Sequence, residues 1–411
     1  MLWKKNILVA ALAVALTFGN VLVQTQTNIA AANATITVTA ASPWKTNLTV
    51  GLNELLADDL LQKTQAGVMV YDLTTGEVIF KSNERQLMRP ASTLKLFTAV
   101  TALERLGADY QFKTRLAYTG SISNGTLYGN VYCIGGFDPC FNRSDMLAFA
   151  ESLRALGVSS ISGQLFADTS MISTARWGEG WCWDDEEYNP TLAALLYNEK
   201  DNFMEAFKQV LEDYNIKVSP FVANGAVPAE GQIICQRTHS MKQVLRQMLK
   251  DSDNLYAEAM FYNLAASSGV PKATAAQARA LINSVITQMG FNPANYRIAD
   301  GCGLSLYNYL SPELEVALLK HAYQQQGIFK ELYAALPVGG IDGTLDYRQG
   351  NIAGKVHAKT GTLTGVQALA GYTQAANGHL LAFSIMNEGV LTSSVATNFQ
   401  DRLCTLLCTV Q

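Results

Sequence analysis

Charge is what this chain has least of. Only 16% of its 411 residues are charged, where a soluble domain usually carries about a quarter. The 30 basic and 34 acidic residues leave a net charge of −4. With no basic surplus to hold a phosphate backbone, nucleic acid is not an expected partner. Histidine is scarce too: His239, His321, His357 and His379 stand singly. Seven cysteines are present, but no Cys-x-x-Cys pair. Zinc sites need clustered His and Cys ligands, so neither a metal site nor a catalytic histidine is expected, and no cofactor is implied. Internal repeats and low-complexity tracts are absent. Beyond the N-terminus, no apolar run is long enough to span a bilayer.

Apolar residues make up 49% of the chain, which suits a packed globular protein and not a disordered one. The length exceeds what one ordinary core holds, so two domains are expected. Lys4 and Lys5 precede an apolar run from Ile7 to about Val23, and Ala32-Asn33-Ala34 follows. A basic start, an apolar middle and an Ala-x-Ala end describe a secretory signal peptide over residues 1–34. An uncleaved anchor is the alternative, because the run is near spanning length. Either way the working protein is expected outside the cytoplasm, in the periplasm or cell envelope, where peripheral association with membrane or wall is compatible with the sequence. The cysteines fit an oxidising compartment. Cys133 and Cys140 bracket the turn-rich Gly135-Gly136-Phe137-Asp138-Pro139; they either staple it or are two separate buried thiols. Cys404 and Cys408 lie one turn apart on an apolar C-terminal helix and read as core.

Chemistry gathers at Pro90 to Ala99, Pro-Ala-Ser-Thr-Leu-Lys-Leu-Phe-Thr-Ala. Pro90 is expected to open a helix that runs to Leu106, with Gly107 ending it. On that helix Ser92 and Lys95 share a face. A serine needs a neighbouring base to act as nucleophile, and a lysine whose pKa is lowered by burial can be that base. The helix start would favour a developing oxyanion. Ser-x-x-Lys alone is a weak signal. Ser42-Pro-Trp-Lys45 repeats it, without a strong helical pattern after it.

Two further stretches carry polar groups of matching use. Ser252-Asp253-Asn254 falls between two expected helices and can set a hydroxyl beside an amide. Lys359-Thr360-Gly361-Thr362 reads as strand, where Lys359 and Thr360 can bind a carboxylate and Gly361 can let a substrate backbone come close. Hairpins are expected over 66–80 and 368–386, with a final helix over 393–410, so both chain ends can build one antiparallel sheet. Between Gly107 and Met241 short strands (112–118, 126–132, 161–166) alternate with helices (145–156, 203–214). Residues 107–239 therefore read as an inserted α/β domain.

The three motifs in this order resemble the signature set of penicillin-binding proteins and serine β-lactamases. Ser252 follows Ser92 by 160 residues, and a long insert there is similar to the low-molecular-mass class C penicillin-binding proteins, the D-alanyl-D-alanine carboxypeptidase/endopeptidase family. Gly136-Phe-Asp-Pro139, Trp181-Cys-Trp-Asp-Asp185, Asp251 to Glu258, Asp300-Gly-Cys-Gly-Leu-Ser305 and Leu336 to Leu345 agree with it. Two departures stand out: Cys302 where the family usually has serine, and an insert shorter around 198–221 than in the larger members.

The resemblance implies a fold of mixed α+β and α/β character. A penicillin-binding transpeptidase-like domain (antiparallel sheet flanked by helices) spans 35–106 and 240–411, and the smaller α/β domain is inserted at 107–239. It also implies roles. Ser92 is the acylated nucleophile, Lys95 its base, and Ser252 the proton relay. Asn254 positions the donor peptide's amide, Lys359 supplies positive charge for the terminal carboxylate and for Ser252, Thr360 hydrogen-bonds that carboxylate, and Gly361 lets the substrate backbone come close. The N–H groups of Ser92 and Thr362 make an oxyanion hole. Asp300 and Ser305 are secondary candidates, with loop-shaping as the alternative. The implied partners are peptidoglycan stem peptides, with β-lactams as acylating inhibitors. The activity this implies is that of a D-alanyl-D-alanine carboxypeptidase, with D,D-endopeptidase cleavage left open by the sequence, and two readings compete with it. One is a β-lactamase, which would need a carboxylate to activate deacylating water; no Glu-x-x-Leu-Asn pattern supplies it. The other is an inert wall-binding scaffold, which intact motifs argue against.

Overall fold

Strands from the two ends of the chain meet in one sheet. The structure is a computed structural model and describes residues 43–411 other than 174, 183–188 and 219–220. The expected signal peptide, Ser42 of the repeated motif, and the acidic tract 183–188 lie outside the described residues. The strands are β1 (Gln65–Asp72), β2 (Glu77–Ser82), β3 (Gln111–Tyr118), β4 (Ser121–Ser123), β5 (Thr126–Tyr128), β6 (Val131–Ile134), β7 (Ser160–Ile161), β8 (Leu165–Asp168), β9 (Val222–Asn224), β10 (Gln232–Ser240), β11 (Val356–Leu363), β12 (Val366–Gln374) and β13 (Leu380–Glu388). The helices are α1 (Pro43–Leu55), α2 (Lys95–Arg105), α3 (Arg143–Ala155), α4 (Phe203–Asp213), α5 (Met241–Lys250), α6 (Asn254–Ala266), α7 (Ala275–Gln288), α8 (Pro312–Gln324), α9 (Gln326–Ala335) and α10 (Ser393–Thr409).

The first sheet runs β11-β12-β13-β1-β2, all antiparallel. Successive side chains point to opposite faces of a strand, and both faces here are apolar. Val68 and Val70 join Phe383, Ile385 and Leu369 in a core with α1 and α10, while Met69 joins Ala368, Ala370 and Tyr372 in a core with α2, α6 and α8. Helices thus cover both faces, and β11 is left as an edge. Helix α2 is buried from Lys95 to Leu103, as expected of a helix surrounded on all sides.

A second five-stranded sheet has the order β10-β3-β6-β8-β9, and a small sheet the order β4-β5-β7. The β10-β3-β6 pairs are antiparallel and the β6-β8-β9 pairs parallel. Phe141, Phe149, Phe203 and Phe207 pack α3 and α4 onto this sheet. All of these strands come from residues 111–240.

Four expectations need correction. Pro90 does not open an α-helix: Ala91–Leu94 form a 3₁₀ turn, and the α-helix begins at Lys95. The tighter turn forms because Ala91 takes φ +47°, outside the right-handed region. The expected strands 126–132 and 161–166 are each split between two strands in different sheets. Helix α1 forms where no strong helical pattern was read. Its Leu48, Leu52 and Leu55 share a core with Leu403 and Leu407 of α10, and such packing outweighs weak propensity; Lys45 pairs with Glu77 at 2.7 Å. Of the two readings left open for Cys133 and Cys140, separate thiols is the one found, and the other five cysteines are free as well. Cys133 lies in the α3–β6 core, and Cys404 and Cys408 are core residues under the first sheet.

A buried polar brace ties the end of β10 to α3. His239 Nδ1 lies 2.7 Å from Asp138 Oδ2 and its Nε2 3.6 Å from Asp145 Oδ2, while Arg237 Nε donates to Asp145 Oδ1 at 2.6 Å. Asp138 pulls the His239 pKa up, and burial pushes Asp138 up despite the imidazole. A raised histidine pKa gives stability that is full below the unfolded value, about 6.5, and is lost as pH rises through the folded value. His239→Gln should therefore lower Tm most below about pH 6.5, and the gap to wild type should narrow as pH rises through the raised folded value. Thermal melts of both proteins across that range check it; a gap that is constant with pH would contradict the ion-pair account.

Candidate active site

Ser92 sits half-buried in the 3₁₀ turn, with its base one turn on. The turn is anchored from below. Thr93 Oγ1 lies 2.7 Å from the Pro90 carbonyl oxygen and 2.5 Å from Glu315 Oε1, and Ser384 Oγ donates to Glu315 Oε2 at 2.7 Å. Burial pushes the Glu315 carboxyl up to about 7. Lys95 is fully buried. Its Nζ lies 2.9 Å from Ser92 Oγ, 2.7 Å from Asn254 Oδ1 and 2.8 Å from the Cys302 carbonyl, one acceptor for each ammonium hydrogen. Burial lowers its pKa, against the pull of Cys302, Asp300, Asp253 and Glu258. Once deprotonated, the amine can accept the Ser92 hydroxyl proton.

Ser252 stands between α5 and α6 with φ +62°, a left-handed conformation that costs a non-glycine residue about 1–3 kcal/mol. Asp253 caps α6 through the N–H groups of Leu255 and Tyr256, which sets Asn254 on its first turn. Lys359 is fully buried on β11, and its Nζ donates to Ser252 Oγ and to the Thr360 carbonyl, both at 2.8 Å. Burial, then the Lys95 charge, holds the Lys359 pKa well below its usual value. Thr360 Oγ1 donates to Thr344 Oγ1 at 2.8 Å. Thr362 is exposed, with Oγ1 3.2 Å from Gln367 Oε1.

Residues of all three motifs thus come together: Lys95 bonds to Ser92 and Asn254, and Lys359 to Ser252. Gly361 needs a different reason from the one expected. A Cβ there would stand 2.5 Å from the Pro90 carbonyl oxygen and 3.2 Å from Ala91 Cβ. The close approach is made by the Ser92 turn itself. Gly303, at φ +88°, packs on the same turn, where a Cβ would lie 1.9 Å from the Ala91 oxygen.

Asp300 shapes that loop. Its carboxylate accepts from Gly303 N, Ser305 N, Asn308 Nδ2 and Trp181 Nε1 at 2.7–2.9 Å. Ser305 is buried, with Oγ accepting from Tyr307 N at 3.1 Å. Among the described residues, one group of metal-ligand type comes within 4.8 Å: Glu258, Asp300 and Cys302, all buried. Both carboxylates are already engaged with backbone amides.

Sequence reasoning missed Thr344 and the Lys250–Asp342 pair. Lys250 Nζ donates to both Asp342 oxygens and to the Leu336 carbonyl at 2.6 Å. Asp342 precedes the turn that carries Thr344, and Lys250 closes the helix before Ser252. The pair therefore links the Ser252 side of the cleft to the Thr360 side. The family-like stretch 336–345 was the available signal, but it named no partner. Lys250→Met should cost about 1–3 kcal/mol of stability and about tenfold in turnover by loosening both sides; melts and kcat together check it.

The sequence over residues 48–202 and 189–410 matches the D-Ala-D-Ala carboxypeptidase 3 (S13) family. The D-alanyl-D-alanine carboxypeptidase DacB of Haemophilus influenzae is 26% identical over 82% of this chain and 89% of its own. A D-alanyl-D-alanine carboxypeptidase of Actinomadura sp. is 27% identical over 84% and 81%. Among solved structures, penicillin-binding protein 4 of Haemophilus influenzae superposes with a TM-score of 0.79 at 24% identity, over 86% of this chain and 97% of that one. The same protein in complex with a β-lactam superposes with a TM-score of 0.75 at 23% identity, over the same shares.

Proposed function

The chain belongs to the D-Ala-D-Ala carboxypeptidase 3 (S13) family, and from that premise we propose how its own residues carry the reaction. It is a serine-type D-alanyl-D-alanine carboxypeptidase of the penicillin-binding fold, working through an acyl-enzyme. Ser92 Oγ attacks the carbonyl carbon of the penultimate D-alanine of a peptidoglycan stem peptide. Its proton passes to the neutral amine of Lys95. The oxyanion lies against the N–H groups of Ser92 and Thr362, and one such donor is worth about 10²–10³ in rate. Ser252 Oγ hands a proton to the leaving nitrogen, and the C–N bond breaks, releasing D-alanine. Water then hydrolyses the Ser92 ester. Asn254 positions the donor amide, and Lys359 with Thr360 receives the terminal carboxylate. A β-lactam offers the same pairing of acyl carbon and carboxylate, so it acylates Ser92 and inhibits.

The observation that carries this reading is the buried Lys95 Nζ at 2.9 Å from Ser92 Oγ. Burial is what makes a lysine a base near neutral pH. Support for the carboxylate site is the buried Lys359 on an edge strand, a position along which an extended peptide can add.

Residues 107–239 are proposed as an insert in a catalytic domain built from 35–106 and 240–411; the strands of 111–240 pairing among themselves support it. Residues 1–34 are proposed as a signal peptide that takes the enzyme to the periplasm or cell envelope. No helix among the described residues is long and apolar enough to cross a membrane. The test is to incubate the purified protein with muropeptides and identify products by mass. Loss of one D-alanine is expected from pentapeptides, unchanged by EDTA; cross-linked dimers cut to monomers would add endopeptidase activity. Intact pentapeptides, or release abolished by EDTA, would refute the mechanism.

A further inference from the structure

Lys95 is held on its far side by a loop, and that loop is held by a carboxyl group to which the mechanism above gives no part. Glu258 lies four residues after Asn254 on α6, so the two share a helix face. Asn254 touches Lys95 directly. Glu258 Oε1 accepts from Gly301 N at 2.8 Å and Cys302 N at 2.9 Å. The Cys302 carbonyl in turn accepts from Lys95 Nζ at 2.8 Å. Thr98, on α2 one turn after Lys95, donates to the Gly301 carbonyl at 2.7 Å. The loop is therefore pinned from α6 and α2 at once. We propose that Glu258 is a positioning residue that acts on Lys95 through the 300–303 loop. The proposal rests on the reading of Lys95 as the base of Ser92.

Two physical consequences follow from where Glu258 sits. The first is geometric. Without an acceptor for the Gly301 and Cys302 amides, the loop must find new partners in a buried place, and the Cys302 carbonyl leaves its position on Lys95. The second is electrostatic. Glu258 is fully buried, and burial with the Asp300 charge pushes its carboxyl up to about 8. When ionised it favours the ammonium form of Lys95; when neutral it does not. The other groups facing it are Asp300 and Cys302 from the loop, Lys95 from α2 and Tyr262 from its own helix. Arg279 of α7 and Glu179 also line the cavity of about 200 Å³ that reaches Glu258 and Asp300. Glu258 and Lys95 thus titrate as a linked pair, and the apparent pKa of the base belongs to both.

The experiment uses the full chain and a fluorescent penicillin, with the second-order rate of Ser92 acylation measured from pH 5.5 to 10. Glu258→Gln keeps an oxygen for the two amides but carries no charge. It should acylate within about threefold of wild type at its optimum and follow the wild-type profile below about pH 8, where Glu258 is itself neutral; above that pH it should hold Lys95 in the amine form more fully than wild type, since a neighbour favouring the ammonium is gone. Glu258→Leu removes the acceptor and should slow acylation about tenfold to a hundredfold at every pH, with the KM for peptide little changed. Melts report whether each variant is folded. Acylation of Glu258→Gln as slow as that of Glu258→Leu overturns the proposal, and so does wild-type acylation in Glu258→Leu. If wild-type Ser92 takes no label at all, the reading of Lys95 and Ser92 fails first, so the two failures are distinct.

Discussion

Ser92→Ala should take no covalent label from penicillin, and its release of D-alanine should fall by about 10⁴ or more, the loss seen when a nucleophile acting as part of a unit is removed. The fold should survive. The bonds that anchor the turn belong to Thr93, not Ser92, and Lys95 keeps Asn254 and the Cys302 carbonyl as acceptors. A stability loss of about 1 kcal/mol is the expectation for one lost hydrogen bond. No second nucleophile is placed to replace it. Ser252 Oγ is held by Lys359, and the Cys302 thiol is buried and pushed well above its usual pKa, so it has little thiolate to offer. Ser42→Ala is the matched control and should label like wild type, because Lys45 is committed to Glu77 on β2. A labelled-penicillin gel reads both. Label on Ser92→Ala, or equal loss in Ser42→Ala, would move the nucleophile elsewhere.

Charge reversal at the second lysine should hit peptide and penicillin alike. Lys359 donates to Ser252 and to the Thr360 carbonyl on the edge of the sheet, where Thr360 meets Thr344. A lost hydrogen bond to a charged group is worth about 1.5–3 kcal/mol, roughly a tenfold to hundredfold fall in rate. Lys359→Glu adds repulsion of the substrate carboxylate, so its fall should exceed that range for both reactions. Because the position is fully buried, an unpaired carboxylate there also threatens the fold. Lys359→Met separates the effects: it keeps the stem and adds no charge. It should stay folded, lose about tenfold to a hundredfold in kcat/KM, and raise KM for the pentapeptide. Full activity of Lys359→Glu on a pentapeptide would falsify the carboxylate site.

Local pattern made much of this protein readable in one dimension. The hairpins at 65–82 and 366–388 announce themselves because β-branched and aromatic residues alternate around short turns. Helix α8 starts where Ser311 and Pro312 say it should, with Ser311 Oγ accepting from Leu314 N at 3.3 Å. Ser92 with Lys95, Ser252 with Asn254, and Lys359 with Thr360 were each legible because the members of a pair lie within three residues and share a turn or a strand.

Partnerships between those pairs belong to the tertiary structure. Lys95 meets Asn254 across 159 positions and Lys359 meets Ser252 across 107, separations at which local preference carries no information. The same holds for Thr344 on Thr360, for Lys250 on Asp342, and for Glu258 beneath the loop that touches Lys95. Helix α1 exists because α10, at the other end of the chain, covers its leucines. Residues 126–134 divide between two sheets on either side of Gly129-Asn130, because local pattern says which residues form strand and not which neighbour they will pair with. Gly361 looks from the sequence like room for a substrate; only packing shows that the room is taken by the carbonyl of Pro90. Residue types and short spacings determined what chemistry was available. Burial determined which of its lysines could lose a proton, since desolvation is a property of everything that surrounds a side chain and of nothing beside it in the sequence.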